Sequence, residues 1–299
     1  MEPLTIEHVH IEGIWNKYTV DFPLNRDVNI LVGDNGVGKT TILDIIAHIC
    51  IRSSNNTSIS ERFTRAKIQF VDGYELVAET TQSGKILRKW SKNDCEVNGV
   101  EDNLILDIVS TFDTSKYPET IESKIKTTYP NIRSELDLMT YYHVDLLYRY
   151  ISMISKTSRQ LLKDGKPEEA EQIYRKYDKM KELCNELYDG KSWYEDAKDG
   201  TIMFKTEDDD IITLSQLSSG EKQLLILLIS TLVQNGSNVI TFWDEPEISL
   251  HISWQQRLIR TMRELNPNMQ LIIATHSPSI LYEGWEQRVI NVNDIKSKS

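Results

Sequence analysis

The segment Gly33-Asp34-Asn35-Gly36-Val37-Gly38-Lys39-Thr40-Thr41 has the residue types and spacing of a loop that wraps phosphate. It follows the apolar run Val28 to Val32 and precedes the periodic apolar run Ile42 to Ile49, where a strand hands over to a helix. Three glycines permit positive φ, so the backbone can curl its N–H groups toward anionic oxygens at the helix N-terminus. Gly33, Asn35, Gly36, Gly38, Lys39, Thr40 and Thr41 are the residues expected to cradle the phosphates. Lys39 supplies a mobile point charge for the outer phosphates, and the Thr40 hydroxyl is a hard oxygen ligand suited to Mg²⁺.

Four later stretches carry matching chemistry. Leu217-Ser218-Ser219-Gly220-Glu221-Lys222-Gln223 opens an apolar helix, and the N–H groups at Ser218, Ser219, Gly220 and Glu221 form a second anion site. That site has no phosphate of its own subunit to bind, which implies a partner. Val239 to Glu245 reads as a strand ending in two carboxylates: Asp244 is placed to hold Mg²⁺ through water, and Glu245 to orient and polarise an attacking water. Pro246-Glu247-Ile248-Ser249-Leu250-His251 follows directly. Finally the strand Leu271 to Ala274 runs into Thr275-His276-Ser277-Pro278, and His276 can contact a γ-phosphate and sense its loss.

The elements that must position these groups can be read in outline. Residues 4 to 32 break into short alternating runs separated by Gly13 and Pro23, which predicts strands leading into the loop. Arg52 to Ser60, rich in Ser and Asn, reads as a surface loop. Residues 66 to 78 and 86 to 97 read as β segments with turns at Asp72-Gly73 and Ser83-Gly84, and Leu104 to Phe112 as a buried strand. The period then changes. Val144, Leu147, Ile151, Ile154, Ser158 and Leu161 step by 3 and 4, as do Ala170, Ile173, Tyr177, Met180, Cys184 and Leu187. Gly165 and Pro167 between these seams predict an antiparallel helical hairpin over about Ser134 to Asp189, its second helix roughly 34 Å long. Tyr141, Tyr142, Tyr148 and Tyr150 fit helix packing, and Glu207 to Asp210 an acidic hairpin tip. The domain reading is an N-terminal lobe 1–115, a helical insertion 116–195 and a C-terminal lobe 196–299.

A formal charge of -11 argues against a surface wrapped in nucleic acid, leaving only a local contact open. The basic and acidic side chains on the hairpin are nearly balanced, as on a solvated helical face. Cys50, Cys95 and Cys184 form no C-x-x-C pair and read as free thiols of a reducing compartment. Without a basic-then-apolar leader or a span-length apolar run, the expectation is a cytoplasmic protein that makes no membrane contact.

Taken together, these motifs resemble the ABC-type ATPases: a Walker A at Gly33 to Thr41, a signature at Leu217 to Gln223, a Walker B at Val239 to Glu245, a D-loop-like Glu247 to His251 and a switch histidine at His276. The resemblance implies an α/β fold, an ABC-type P-loop ATPase core (mixed sheet plus RecA-like lobe) with the helical hairpin inserted. It implies ATP and Mg as cofactors, and catalytic roles for Lys39, Glu245 and His276. It also implies a head-to-tail homodimer, or a higher oligomer built from it, in which Ser218 and Gly220 close on the opposite subunit's nucleotide. The long stretch between Thr41 and Leu217 looks like the SMC, RecF and OLD branch rather than transporter subunits. Within that branch the chain resembles the stand-alone ATPases of bacterial antiphage systems, such as PtuA of Septu and related retron ATPases. The function that follows is an ATP-driven dimer switch controlling a separate effector, a nuclease. The alternatives are a RecF-type repair ATPase that itself binds DNA, and a non-hydrolysing nucleotide-dependent scaffold. Two features depart from the pattern: Asp113 stands where a Q-loop glutamine falls, and the sequence ends at Ser299 with no room for an OLD-type nuclease domain after His276.

Overall fold

The computed structural model describes residues 4–51, 57–100, 104–110, 119–129, 132–282 and 284–298. In chain order the first elements are β1 (Ile6–Ile14), β2 (Tyr18–Pro23), β3 (Val28–Val32), α1 (Lys39–Cys50), α2 (Thr57–Ser60), β4 (Arg65–Phe70), β5 (Tyr74–Thr80), β6 (Ile86–Lys92), β7 (Cys95–Glu96) and β8 (Leu106–Ser110). There follow α3 (Glu119–Thr128), α4 (Glu135–Lys163), α5 (Pro167–Gln172), α6 (Arg175–Leu187), β9 (Lys191–Glu195), β10 (Ile202–Thr206), β11 (Ile211–Ile212) and α7 (Ser219–Val233). The last are β12 (Ile240–Asp244), α8 (Ile252–Leu265), β13 (Gln270–Ala274), β14 (Val289–Asn291) and β15 (Lys296–Lys298).

Two compact units divide the chain, the first made of residues 1–110, 237–246 and 268–299. It holds an antiparallel seven-stranded sheet ordered β15-β2-β1-β4-β5-β6-β7 and a parallel five-stranded sheet ordered β14-β3-β13-β12-β8. Alternation in β1, β4 and β5 buries Ile6, Val9, Ile11, Ala66, Ile68, Leu76 and Ala78 on one face. These share a core with Ile42, Ile45, Ile46 and Ile49 of α1 and with Ile240, Phe242 and Ile272 of the parallel strands. The near-continuous apolar runs of β12 and β13 are what a central parallel strand requires, since both faces are covered.

The register decides the site. β3 pairs with β13 and β13 with β12, all parallel, so the C-terminal ends of these strands lie side by side. In a parallel sheet that end is where ligands bind. The loop at Gly33, the carboxylates at Asp244 and Glu245 and the turn at His276 all emerge there.

The second unit comprises residues 111–236 and 247–267. Its centre is α7, buried from Gly220 through Leu232, with α4, α6 and α8 packed on it. The sheet β11-β10-β9 carries the Glu207–Asp210 hairpin tip. Tyr141 and Tyr150 are buried in the helix packing, and the Tyr148 hydroxyl accepts a hydrogen bond from Ile202 N at 3.0 Å.

Three expectations are corrected. The second hairpin helix is not one rod: it breaks at Ile173–Tyr174 into α5 and α6. The seam has two different partners. α5 stays on α4, where Ser158 Oγ donates to the Ala170 carbonyl at 3.2 Å and the Tyr174 hydroxyl to Ser155 Oγ at 3.2 Å. α6 packs instead on α7, α8 and β9, burying Tyr177, Met180, Cys184 and Leu187. The strand expected at Leu104 to Phe112 is β8, at the edge of its sheet, with Ile105 48% exposed rather than buried. Within the loop expected at Arg52 to Ser60, Thr57–Ser60 form a helical turn, while 52–56, like Asp113, lie outside the described residues.

Candidate functional site

The phosphate loop has the backbone its glycines permit: φ is 145° at Gly33, 78° at Gly36 and 104° at Gly38. Gly38 is also the residue before α1, and no side chain caps that helix, so its first N–H groups face the loop's concavity. The φ at Gly38 requires glycine, and an added Cβ would in addition have to displace the Tyr18 hydroxyl, which stands 2.4 Å from its position. Lys39 is 5% exposed and its ammonium lies over the loop, donating to the carbonyls of Gly33 at 2.9 Å and Asp34 at 3.3 Å.

Across the loop, the Thr40 hydroxyl donates to Asp244 Oδ1 at 2.9 Å. The next residue, Glu245, has φ of 48°, a left-handed conformation that costs a non-glycine residue about 1–3 kcal/mol and is typical of functional turns. Its N–H donates to the Ala274 carbonyl at 2.8 Å, which aims the side chain from the strand end into the cavity. There Glu245 Oε1 meets His276 Nδ1 at 3.1 Å. A cavity of about 490 Å³ is lined by Asn35, Gly36, Gly38, Lys39, Thr40, Thr41, Glu245, His276 and Trp15. Loop, carboxylates and histidine thus share one concave site within the first unit. The Thr40 and Asp244 oxygens are a hard donor set of the kind Mg²⁺ takes, so the residues present fit that ion.

Sequence reasoning missed Trp15. It sits in the β1–β2 turn, where Trp15 and Asn16 have φ of 53° and 56° and Lys17 N donates to the Ile14 carbonyl at 3.0 Å, as in a type I′ hairpin. A bulky aromatic is an outlier at such a position. The residue is 47% exposed in the cavity wall, and the Arg62 guanidinium lies 5.7 Å from the centre of its ring. Arg62 in turn pairs with Asp44 of α1 at 3.1 Å. The only sequence signal was a tryptophan followed by asparagine in a turn, which says nothing of the distant loop it faces.

The signature residues belong to the second unit. Ser218 Oγ accepts from Glu221 N at 3.3 Å, and the Glu221 carboxylate accepts from Ser218 N at 2.8 Å, a reciprocal capping box. Ser218 and Ser219 are exposed at the helix start, whereas Glu221 points inward and pairs with Lys191. Burial opposes the Glu221 charge, but the Lys191 ammonium and the Ser218 N–H hold its carboxyl below the usual range. One residue on, Lys222 pairs with Asp137 at 2.8 Å, both nearly buried. Gly220 has ordinary helical φ, and its need for glycine is space: an added Cβ would stand 2.4 Å from the Ser249 carbonyl oxygen. The signature helix therefore starts in contact with the Glu247 to His251 segment, where Ser249 has φ of 68°. Among the described residues, no group of His, Cys, Asp and Glu is arranged as an all-protein metal site, the Glu207–Asp210 tip included, and no helix is long and apolar enough to cross a membrane.

A glycine loop between a parallel strand and a helix, with strand-end carboxylates beside it, defines a P-loop nucleotide-binding domain. The chain belongs to the family described as "AAA domain, putative AbiEii toxin, Type IV TA system", whose profile matches residues 28–281. It is 24% identical to the Septu protein PtuA of Bacillus thuringiensis over 93% of this chain and 73% of that protein. It is 23% identical to the Retron Ec83 probable ATPase of Escherichia coli, over 93% of this chain and 70% of that one. Among solved structures, the Smc head domain of Pyrococcus furiosus, bound to the C-terminal domain of ScpA, superposes with a TM-score of 0.60 at 16% identity, covering 99% of this chain and 96% of that chain. The fold is accordingly that of an SMC-type head domain, and the chain is an ATPase-family protein related to Septu and retron ATPases.

Proposed function

We propose that this protein binds and hydrolyses Mg·ATP and uses the cycle to switch a head-to-tail homodimer, which controls a separate effector, a nuclease, in antiphage defence. The observation that carries the reading is the pairing of Thr40 with Asp244 beside that of Glu245 with His276, in one cavity under a glycine-rich loop. Lys39 and the loop N–H groups bind the phosphates. Thr40 and Asp244 would hold Mg²⁺, which when bound would supply charge neutralisation on the phosphate oxygens. Glu245 orients the attacking water and accepts its proton, and His276, within hydrogen-bond reach of Glu245, reads the γ-phosphate position. The exposed Ser218 and Ser219 at the start of α7 then offer their helix N-terminus to the nucleotide of a second copy. ATP can drive closure only through its differential affinity for the closed state.

Lys39→Ala is expected to abolish nucleotide binding, whereas Glu245→Gln keeps affinity and lowers turnover about 100- to 10,000-fold. Binding by calorimetry, phosphate release and ATP-dependent mass by light scattering separate the two. A Glu245→Gln chain that hydrolyses ATP like the wild type would remove Glu245 from the mechanism.

A further inference from the structure

The stretch from Val289 to Lys298 is not used by the chemistry above, yet it touches both ends of the phosphate loop. At the entry, β14 pairs in parallel with β3, Asn291 opposite Val32, and Val292 N donates to the Val32 carbonyl at 2.9 Å. Asn291 Oδ1 lies 3.7 Å from where a Cβ on Gly33 would stand. At the exit, the Lys296 ammonium donates to the Val37 carbonyl, inside the loop itself. The same ammonium is 4.2 Å from the centre of the Tyr18 ring, whose hydroxyl packs against Gly38. Lys296 is carried there by β15, which pairs antiparallel with β2, Lys296 opposite Val20 and Lys298 opposite Tyr18.

We propose that this C-terminal arm is a positioning element for the phosphate loop, with Lys296 as its positioning residue, so that pairing of β15 on β2 and nucleotide occupancy are linked. A phosphate nest works only if its N–H groups converge inward, so the intervening carbonyls must turn outward and find donors there. Lys296 is that donor for Val37, the residue before the φ 104° turn at Gly38. Its hydrogen bond is charge-assisted, hence among the stronger kinds. Partial burial lowers the Lys296 pKa and raises that of Tyr18, as for a contact partly shielded from water. Because coupling between two equilibria is reciprocal, a ligand that orders the loop must also hold the arm down, and release of the arm must weaken the ligand.

The inference rests on the reading that the loop binds Mg·ATP, and the experiment separates the two. Mg·ATP is titrated calorimetrically into the full chain as wild type, Lys39→Ala, Lys296→Met and Lys296→Arg, and hydrogen exchange is followed in β2 and β15 with and without Mg·ATP. Lys296→Met is expected to bind about tenfold more weakly at an unchanged melting temperature, and Lys296→Arg to recover most of the loss. Mg·ATP is expected to slow exchange of the β15 amides in the wild type. If the wild type binds Mg·ATP but Lys296→Met binds equally well, or if β15 exchange is indifferent to Mg·ATP, the coupling is overturned while the ATP reading stands. No binding by the wild type overturns both. Should Lys296→Met fail to fold, the exchange measurement on the wild type decides alone.

Discussion

Trp15 shows how a single residue can be placed by forces unrelated to the motif it serves. Its strained turn is fixed by the β1–β2 hairpin, and its ring is steadied by Arg62, which Asp44 of α1 holds from the far side. In the proposed nucleotide site, an exposed indole in the cavity wall offers a stacking surface for a base. Trp15→Ala is therefore expected to weaken ATP binding by about 1–3 kcal/mol and leave tripolyphosphate binding unchanged. Equal losses for both ligands in competition titrations would assign Trp15 to the loop's structure instead. The phosphate-type loop was legible from sequence because its geometry is written in adjacent residues: each glycine angle and the places of Lys39 and Thr40 follow from one short stretch. Trp15 was not, since its role depends on a hairpin crossing that local pattern does not encode. Glu221 is a second case. Its sequence position in the signature marks it for nucleotide contact, and the structure places its carboxylate inward on Lys191 and the Ser218 N–H.

At the scale of elements, α7 is where the second unit concentrates its constraints. Its first turn contacts the Ser249 carbonyl through Gly220, and Lys222 reaches Asp137, which also accepts from Ser134 N to cap α4. Gly220→Ala should force a backbone carbonyl to move, a cost of about 1–3 kcal/mol visible as a lower melting temperature; an unchanged melt would mean the Ser249 turn yields freely. Asp137→Asn leaves the Lys222 ammonium without its counter-charge in a nearly buried site, expected to cost about 3–5 kcal/mol in denaturant unfolding. The pH dependence has a definite sign. Burial raises the Asp137 carboxyl pKa, but Lys222, the Arg133 N–H and Ser134 outweigh it and hold it below the usual carboxylate range. A depressed carboxylate contributes stability above its unfolded pKa and loses it as pH falls through the folded one. Unfolding free energy should therefore drop below about pH 4 in the wild type, and this part of the drop should be absent in Asp137→Asn. Periodicity located α4 and its seam but could not show that the second seam changes partner at Ile173, because a 3–4 pattern records that a face is buried and not against what. β8 misled for a related reason: an apolar run does not distinguish a central strand from an edge strand.

At the scale of the molecule, the motifs divide between two compact units: Walker A, Walker B and His276 in one, the signature and the Glu247–His251 segment in the other. The order of parallel strands, with β13 between β3 and β12, could not be read from the chain, yet it is what gathers Gly33, Asp244 and His276 at one edge. The exposed hydroxyls of Ser218 and Ser219 begin a helix whose N–H groups favour an anion, and in the proposed dimer that anion is the partner's nucleotide. A subunit carrying Ser218→Arg should then be inactive alone, since its bulky cation fills the anion site in both halves of the dimer. A subunit carrying Lys39→Ala should be inactive for want of phosphate binding. In the mixed dimer one composite site joins an intact phosphate loop to an intact signature, while the other carries both defects. Mixing the two inactive chains is expected to restore up to about half of wild-type turnover per dimer, with heterodimers verified by differential tagging. Verified heterodimers that remain inactive would exclude an arrangement in which each signature acts on the opposite subunit's nucleotide.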